Sequence, residues 1–403
     1  MKWFWLTCCS IAVWGCLQCG GSDPSNQAEN FHHYVKPIPA AVTSRFPGPV
    51  VPLSPPLAKA VRSSERLIEL LPLERLIRLE VSDSSIIAEI SEIVRLDNAW
   101  FLLDRLQGTI LKFADDGRYL KTIGRKGEGP GEYGNPVFIK ACFNHQLGVY
   151  DGNRGVIHLF DSEGNFVFST SQYAGPHRVM PNYNFIWESR DRLYLATFPS
   201  LNPQAPWHAL LDYSAREYRV LGGFGRRFEP LLKIERGRRA FQCFNMIENR
   251  LWTGTPYGAW LEVFDRKGRF LGKTEPSPRM NALQYEDFDG LDEKKWARLR
   301  SKAANGTLLQ VGPLVFARVG KLFDIYDVNG NRLRTGLKRG KFHPPRAAYT
   351  SDTGTYAISQ IIPSQNTEYY HPGDLAAMKD DGFDPEFLED LNPYLRVGRL
   401  IHE

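Results

Sequence analysis

Three oxygen-bearing side chains lie at or just after the ends of apolar, strand-like segments and could bind a cation. Asp104 ends one segment, Asp151 ends another, and Asn153 follows two residues later. Carboxylate and amide oxygens are the ligands that Ca²⁺ prefers. Asp and Asn also close tight turns, because their side chains accept hydrogen bonds from nearby backbone amides. The sequence favours the turn role and keeps a metal site at these three residues as a secondary hypothesis.

The other reactive side chains form no pattern typical of a catalytic centre. Apart from the adjacent pair His32 and His33, the nine histidines show no metal-ligand spacing. The sequence contains no Gly-x-Ser-x-Gly motif. Cys142 and Cys243 lie in apolar surroundings and are expected to be buried free thiols, although an exported location would permit a disulfide. These observations favour a protein that is not an enzyme and needs no cofactor.

One basic cluster could bind an anionic group such as a lipid headgroup or a polysaccharide. Its cations are Arg226, Arg227, Lys233, Arg236, Arg238 and Arg239, with Glu229 and Glu235 between them. The sequence favours a solvated loop here and leaves anion binding as the alternative. The net charge of +5 is mild and does not indicate nucleic-acid binding.

These side chains would be positioned by β-hairpins that recur about every fifty residues. The motif Phe-Asp-x-x-Gly, or a close relative, begins at Phe113, Phe160, Tyr213, Phe264 and Tyr326. An alternating strand leads into each polar turn, whose glycine supplies a positive φ, and a second strand follows. A further strand precedes each hairpin by about ten residues. This period is typical of a four-stranded propeller blade.

Five hairpins do not close a ring, so the ends of the repeat region must supply another blade. Residues 75–81 and 355–362 both read as strands. Pairing an N-terminal strand with C-terminal strands would remove the open sheet edges. We predict an all-β fold, a six-bladed β-propeller over residues 71–365, with seven blades as the alternative.

Two helices are predicted outside the blade pattern. Residues 292–304 have an Asp at the start, bases later and an apolar face, as expected of a short inserted helix. The C-terminal extension, residues 366–403, is expected to contain a helix capped by Asp384 with Pro385 in its first turn. This tail would pack under the ring or present its apolar stripe to a partner.

The amino terminus has the pattern of a lipoprotein signal. Residues 1–19 combine a basic start, a short apolar run and four cysteines. Cys16 follows Gly15, which supplies the small residue that lipidation requires, and Cys19 is the alternative. Residues 20–70 are rich in proline in their second half and are expected to form an extended tether.

A family resemblance rests on the segment 123–133, Ile-Gly-Arg-Lys-Gly-Glu-Gly-Pro-Gly-Glu-Tyr. It resembles the linker of bacterial six-bladed propeller lipoproteins related to NHL-repeat and TolB-like propellers, and the resemblance extends over roughly residues 70–365. It implies the fold and says little about activity. A phosphate-binding loop would need a helix after it, whereas the next segment is strand-like, so the sequence predicts a crossover between blades.

The functional expectation is a lipid-anchored binding or interaction scaffold of the periplasm, outer membrane or cell surface. Its partner would be an envelope protein, a peptide or a glycan. Some six-bladed propellers are lactonases or lyases with Ca²⁺ or Zn²⁺ at the central channel. The alternative is therefore a metal-dependent hydrolase or lyase of that class, with Asp104, Asp151 and Asn153 as ligands.

Overall fold

Six antiparallel sheets of four strands surround a central channel in the computed structural model. The structure describes residues 52–170, 184–196, 208–213, 219–224, 244–254, 260–279, 304–338, 344–361 and 392–401. The innermost strand of each sheet borders the channel, and inner strands of successive sheets lie side by side. The all-β, six-bladed prediction is confirmed, and the seven-bladed alternative is not.

The first three blades follow one another along the chain, each from its inner to its outer strand. Blade one contains β2 (Ile90–Leu96), β3 (Ala99–Asp104), β4 (Thr109–Ala114) and β5 (Tyr119–Ile123). Blade two contains β8 (Pro136–Cys142), β9 (Gln146–Asp151), β10 (Val156–Phe160) and β11 (Phe166–Ser169). Blade three contains β12 (Phe185–Ser189), β13 (Arg192–Ala196), β14 (His208–Asp212) and β15 (Arg219–Phe224).

The last three blades keep the same order until the ring closes. Blade four contains β16 (Phe244–Ile247), β17 (Arg250–Gly254), β18 (Leu261–Phe264) and β19 (Phe270–Lys273). Blade five contains β20 (Ala304–Val311), β21 (Leu314–Val319), β22 (Leu322–Asp327) and β23 (Arg332–Lys338). Blade six contains β24 (Ala347–Ser351), β25 (Gly354–Ile361), β26 (Tyr394–Arg399) and, outermost, β1 (Leu73–Arg78).

The repeated motif forms the turn between the third and fourth strands of a blade. In blade two, Gly164 donates its amide to the Asp161 carbonyl at 2.9 Å and has a φ of +83°. The motif's aromatic residue is buried between blades, as Phe113, Phe160, Phe264 and Tyr326 all are. The aromatic residue therefore fills the core while the polar residues close the turn.

The ring is closed by strands from both ends of the chain, as the sequence suggested. β1 pairs with β26, with Leu76 opposite Arg396 and Arg78 opposite Tyr394. The expected propeller end at residue 365 is wrong, because β26 lies in the middle of blade six. Leu395 and Val397 on this strand are buried in the core shared with blade one.

The expected tether over residues 20–70 is too long at its C-terminal end. Helix α1 (Pro55–Ser63) and the short helix α2 (Leu67–Leu70) precede β1. Ser54 caps α1 by accepting a hydrogen bond from the Leu57 amide at 3.3 Å, and the two prolines occupy its first turn, where their missing amide hydrogens cost nothing. Leu57 and Val61 are buried against blade five.

Two predicted helices fall on segments outside the described residues. The C-terminal helix near Asp384 lies outside them, and so does the inserted helix at 292–304, except that Ala304 begins β20.

Within the described ranges, neither α1 nor α2 is long and apolar enough to cross a bilayer.

Candidate functional site

The central channel is a cavity of about 480 Å³ to which all six inner blade edges contribute. Its charged and amide side chains are Glu92, Lys140, Asn184, Asn245, Arg318 and Arg346. Arg95 also borders the cavity, but its guanidinium is bound to Asp115 at 3.2 Å and stacks 4.2 Å from the centre of the Tyr349 ring. The channel therefore brings polar groups from separate repeats into one small space.

Side-chain amides connect neighbouring inner strands around this cavity. Asn184 donates to the Phe244 carbonyl at 3.0 Å and links blade three to blade four. Asn245 donates to the Leu308 carbonyl at 2.9 Å and links blade four to blade five. The channel-side edge of an inner strand has no neighbouring strand in its own sheet, so some backbone carbonyls on the channel side receive no hydrogen bond from the sheet. The side-chain amides of Asn184 and Asn245 donate hydrogen bonds to such carbonyls.

Two basic residues connect further blades. Arg346 precedes β24 and donates from Nη1 to the Ser91 carbonyl, which links blade six to blade one. Lys140 on β8 reaches Asn245, with 3.4 Å between Nζ and Oδ1. Blades two and four are separated by blade three, so this contact runs across the channel and not along its wall.

Glu92 contributes a carboxylate to the channel. Its side chain is 27% exposed, and its Oε1 lies 4.0 Å from Nη1 of Arg346. Burial raises the pKa of Glu92 to about 7, while the positive charges of Arg346, Lys140 and Arg105 oppose this rise. Groups with such shifted pKa values are common at functional sites, although structural ion pairs produce them too.

Basic side chains outnumber acidic ones among the described residues that line the cavity. They are Lys140, Arg318 and Arg346, beside the one carboxylate of Glu92. Cations gathered in a confined cavity attract anions more strongly than the same charges on an open surface. The arrangement can therefore bind an anion, and Glu92 can exchange a proton near neutral pH.

Asp104 lies in a turn and not at the channel. It is fully buried, and its carboxylate accepts hydrogen bonds from four backbone amides, those of Ala88, Glu89, Leu106 and Gln107. The bonds from Leu106 and Gln107 close the turn between the second and third strands of blade one, and those from Ala88 and Glu89 fix the segment before β2. Asp104 does not border the cavity.

Asp151 and Asn153 occupy the corresponding turn of blade two. The Asp151 carboxylate accepts from the amides of Gly134, Asn135, Asn153 and Arg154. Burial would raise the pKa of Asp151, but the His158 imidazole, whose Nε2 lies 3.6 Å from Oδ2, and these amides outweigh it and lower the pKa to about 2. Over the residues that the structure describes, no three His, Cys, Asp or Glu side chains converge as a metal site requires. The described residues therefore provide no group of ligands that would support the metal hypothesis.

The glycine-rich segment forms the crossover between blades one and two. Its strands β6 (Arg125–Lys126) and β7 (Glu132–Tyr133) pair in parallel, and the Tyr133 hydroxyl donates to the Ile123 carbonyl at 2.7 Å. A Cβ atom on Gly124, whose φ is +64°, would lie 2.6 Å from the Tyr133 ring. Glycine is therefore required at position 124 because the residues of the crossover pack closely against it. The next element along the chain is strand β8 and not the helix that a phosphate-binding loop would need.

Other predicted site residues lie outside the described part of the chain. These are Cys16, Cys19, Cys243 and the cluster Arg226, Arg227, Arg236, Arg238 and Arg239. Cys142 is a half-buried free thiol, and burial raises its pKa to about 12. It is therefore a poor nucleophile.

Sequence reasoning missed the channel residues. The hairpin motif aligns the third and fourth strands of each repeat, whereas Glu92, Lys140 and Asn245 lie on first strands that carry no shared motif. The available signal was a polar residue within the apolar first strands of blades one, two and four, and just before the first strands of blades three and six. Placing those strands at the centre of the ring would have gathered these residues.

Comparison with known proteins supports the same architecture. Residues 62–167, from the end of α1 into the last strand of blade two, match the model of a family described as a 6-bladed beta-propeller, DUF5128. No curated protein matches the chain.

Solved structures resemble the chain at low sequence identity. A protein of Bacteroides fragilis described as exported is 12% identical with a TM-score of 0.53, and the alignment covers 83% of this chain and 96% of that one. A DUF4221 member from Bacteroides vulgatus is 10% identical with a TM-score of 0.48, covering 82% and 97%. A gluconolactonase from Xanthomonas campestris is 11% identical with a TM-score of 0.41, covering 72% and 95%. The family match and the strand topology together identify the fold of this chain as a six-bladed β-propeller.

Proposed function

We propose that this chain is an exported binding protein of the cell envelope whose central channel binds a small anionic ligand. The observation that carries this proposal is that three basic side chains, Lys140, Arg318 and Arg346, and one carboxylate, Glu92, line the described part of the channel. Charged donors bind carboxylate or phosphate oxygens through short, strong hydrogen bonds. A cavity of about 480 Å³ lies within the size range of small-molecule sites.

The channel is suited to a ligand because its polar groups are held in place by the fold. Asn184, Asn245 and Arg346 are each bonded to the carbonyl of a neighbouring blade. Such preorganised groups lose little freedom when a ligand binds. The contact between Lys140 and Asn245 is long for a hydrogen bond, at 3.4 Å, and is therefore weak. We infer that an anion replaces this contact and accepts hydrogen bonds from Lys140 directly.

The proposed location follows from the amino terminus. Residues 1–19 have the composition of a lipoprotein signal, with Cys16, or alternatively Cys19, as the acylated residue. A similar fold in a Bacteroides protein described as exported is consistent with this location. The lipid would hold the propeller at the periplasmic face or the cell surface, with residues 20–51 as the spacer.

The placement of the acidic side chains favours anion binding over the activity of a metal-dependent hydrolase or lyase. Asp104 and Asp151 use their carboxylates to close turns, and Glu92 is accompanied by cations. A hard metal ion requires several oxygen ligands without competing positive charge. The described part of the channel offers one carboxylate beside cations, which suits an anion better.

Calorimetric titration of the full chain with inorganic phosphate, citrate and succinate tests the proposal, with glycerol as the uncharged control. We expect binding of at least one anion, with a dissociation constant that rises about tenfold in Lys140→Met, since a hydrogen bond to a charged group is worth roughly 1.5–3 kcal/mol. Lys126→Met, on the exposed crossover, is the matched control and should bind like the parent. Anion binding that is equal in all three proteins would place the site elsewhere, and no binding of any of the three anions would refute the proposal.

A further inference from the structure

The cations of the channel lie at two different depths. Position along a strand measures depth, because the turns that join the first and second strands of the blades all lie at one end of the channel, the hairpin end. Lys140 stands two residues before the last residue of β8. Arg318 stands four residues beyond the first residue of β21, and Arg346 five residues before the last residue of β24. At about 3.3 Å per residue, the α-carbons of both arginines lie roughly 7–10 Å farther from the hairpin end than that of Lys140.

Side-chain contacts hold the charged groups near these two depths. Lys140 Nζ lies 3.4 Å from Oδ1 of Asn245, which also stands two residues before the end of its strand, β16. Arg318 donates from Nε to a carbonyl of the β21–β22 turn at 3.0 Å, at the end of the channel opposite the hairpin end. Arg346 donates to the Ser91 carbonyl, five residues before the end of β2. The ammonium group and the guanidinium groups therefore do not converge on one point.

Apolar side chains line the cavity between the two depths. Leu309, Ala348 and Phe138 border the cavity and are only half-buried, so part of each side chain is open to an occupant. They stand two, three and four residues from the hairpin end of their strands, respectively. The described wall thus changes from cationic to apolar and back to cationic along the channel axis. An extended ligand with an anionic group at each end and an apolar middle would match this order.

We propose that the channel ligand is an aliphatic dicarboxylate that lies along the channel axis. One carboxylate would contact Lys140 and Asn245, and the other would contact Arg318 and Arg346. This inference rests on the proposed function, because it names the class of anion that the channel binds. A monocarboxylate would meet cations at one depth only, and an anion charged along its whole length would place charge against the apolar wall, where it loses hydration. Succinate, whose carboxylates are joined by only two methylene groups, falls short of the interval, since a carbon–carbon bond is about 1.5 Å long.

Calorimetric titration of the full chain with pimelate, monomethyl pimelate, succinate and the neutral heptane-1,7-diol tests this proposal. The titrations are made at about pH 6, where Glu92, beside Arg346, is largely protonated and does not repel a carboxylate. Pimelate should bind at least about tenfold more tightly than its monomethyl ester, because the second carboxylate adds at least one hydrogen bond between charged groups. It should also bind more tightly than succinate, and the diol should not bind.

Variants at the two depths show where each carboxylate lies. Lys140→Met should weaken pimelate binding at least about tenfold and should reduce its advantage over the monomethyl ester to less than about threefold, because the ester can still place its single carboxylate at the arginines. Arg318→Gln should reduce the same advantage from the other depth. Lys126→Met, on the exposed crossover, is the matched control and should keep the full preference for pimelate. The thermal midpoint of each variant shows whether it is folded, and Lys140→Met keeps the test decisive if Arg318→Gln does not fold.

Three outcomes would overturn the dicarboxylate proposal alone. They are equal affinities of the parent for pimelate and its monomethyl ester, equal affinities for pimelate and succinate, and a preference for pimelate that survives both Lys140→Met and Arg318→Gln. Each of these still leaves a small anion bound by the protein. If pimelate, its ester and succinate fail to bind while phosphate or citrate binds, the dicarboxylate proposal is again the one that fails. Only the failure of every anion would refute the proposed function together with it.

Discussion

Lys140 of blade two and Asn245 of blade four meet across the channel, with 3.4 Å between Nζ and Oδ1, although blade three separates their sheets. The same Asn245 donates its amide to the Leu308 carbonyl of blade five. One side chain thus both fixes two neighbouring blades and holds the cation that we assign to ligand binding. Structural and binding roles are therefore coupled at Asn245.

Replacing Asn245 by Ala should separate these two roles when it is compared with Asn184→Ala. Both variants lose a hydrogen bond to a carbonyl of the next blade, and each should lower the free energy of unfolding by about 1–2 kcal/mol. Only Asn245→Ala also removes the contact with Lys140. Urea unfolding measures the first effect. Calorimetry with the bound anion should show a changed affinity in Asn245→Ala alone, and an equal change in both variants would contradict the role assigned to Lys140.

The raised pKa of Glu92 predicts that the protein loses stability as the pH rises. Its pKa is about 7 in the fold against a usual 4.5, so the native state holds a proton that the unfolded chain releases between these values. The stabilisation that this proton gives the native state is complete below pH 4.5 and is lost as the pH rises through 7. The free energy of unfolding falls by up to about 3 kcal/mol over this range. Urea unfolding of the parent and Glu92→Gln at pH 5 and pH 8 should show the variant gaining relative stability at pH 8.

The exposed Glu128→Gln is the control for this pH dependence and should follow the parent at both values. Anion binding should also be tighter at pH 5, because a neutral Glu92 no longer repels an anion in the channel. If the parent and Glu92→Gln lose stability in parallel between pH 5 and pH 8, Glu92 does not titrate in that range.

The lowered pKa of Asp151 predicts that the protein loses stability as the pH falls into the acid range. Its pKa of about 2 lies below the usual 3.8, so its stabilising effect is complete above pH 3.8 and is lost as the pH falls towards 2. The loss should reach about 2 kcal/mol. Asp151→Asn cannot ionise, so it should be less stable than the parent at pH 6, and the difference should shrink at pH 2.5. Chelator should change neither protein if the carboxylate serves the turn and not a metal.

The hairpins were predictable from sequence because their information is local. In each one, an Asp and a Gly close a turn a few residues long, and an aromatic residue such as Phe160 must be buried beside it. Strand β26 was not predictable in this way. It lacks the hairpin motif, and its neighbours β1 and β25 belong to opposite ends of the chain.

Helix α1 and the channel were missed for related reasons. The prolines before Leu57 suggested an extended tether, but Pro55 and Pro56 occupy a helical first turn, where proline is tolerated. Lys140 and Asn245 are more than a hundred residues apart, and their contact follows from ring closure alone. Local patterns thus predicted the blades, whereas contacts between blades required the structure.

Lipidation at the amino terminus is tested by changing the two candidate cysteines. Cys16→Ser should abolish processing and membrane retention in a bacterial host if Cys16 is acylated, while Cys19→Ser should be processed normally. Metabolic labelling with a palmitate analogue and cell fractionation report both properties. The reverse result would assign the lipid to Cys19. A double variant that remains labelled and membrane-bound would refute the lipoprotein hypothesis for both residues.

Truncation after residue 391 should prevent folding, because it removes β26 from the centre of blade six. The loss would leave β1 and β25 with unpaired edges and would remove Leu395 and Val397 from the core shared with blade one. We expect the truncated chain to be aggregated or to lack a cooperative thermal transition. Removing residues 402 and 403 alone is the control and should leave the transition unchanged. A soluble truncated chain that unfolds cooperatively at the parent temperature would instead mean that the propeller closes without β26.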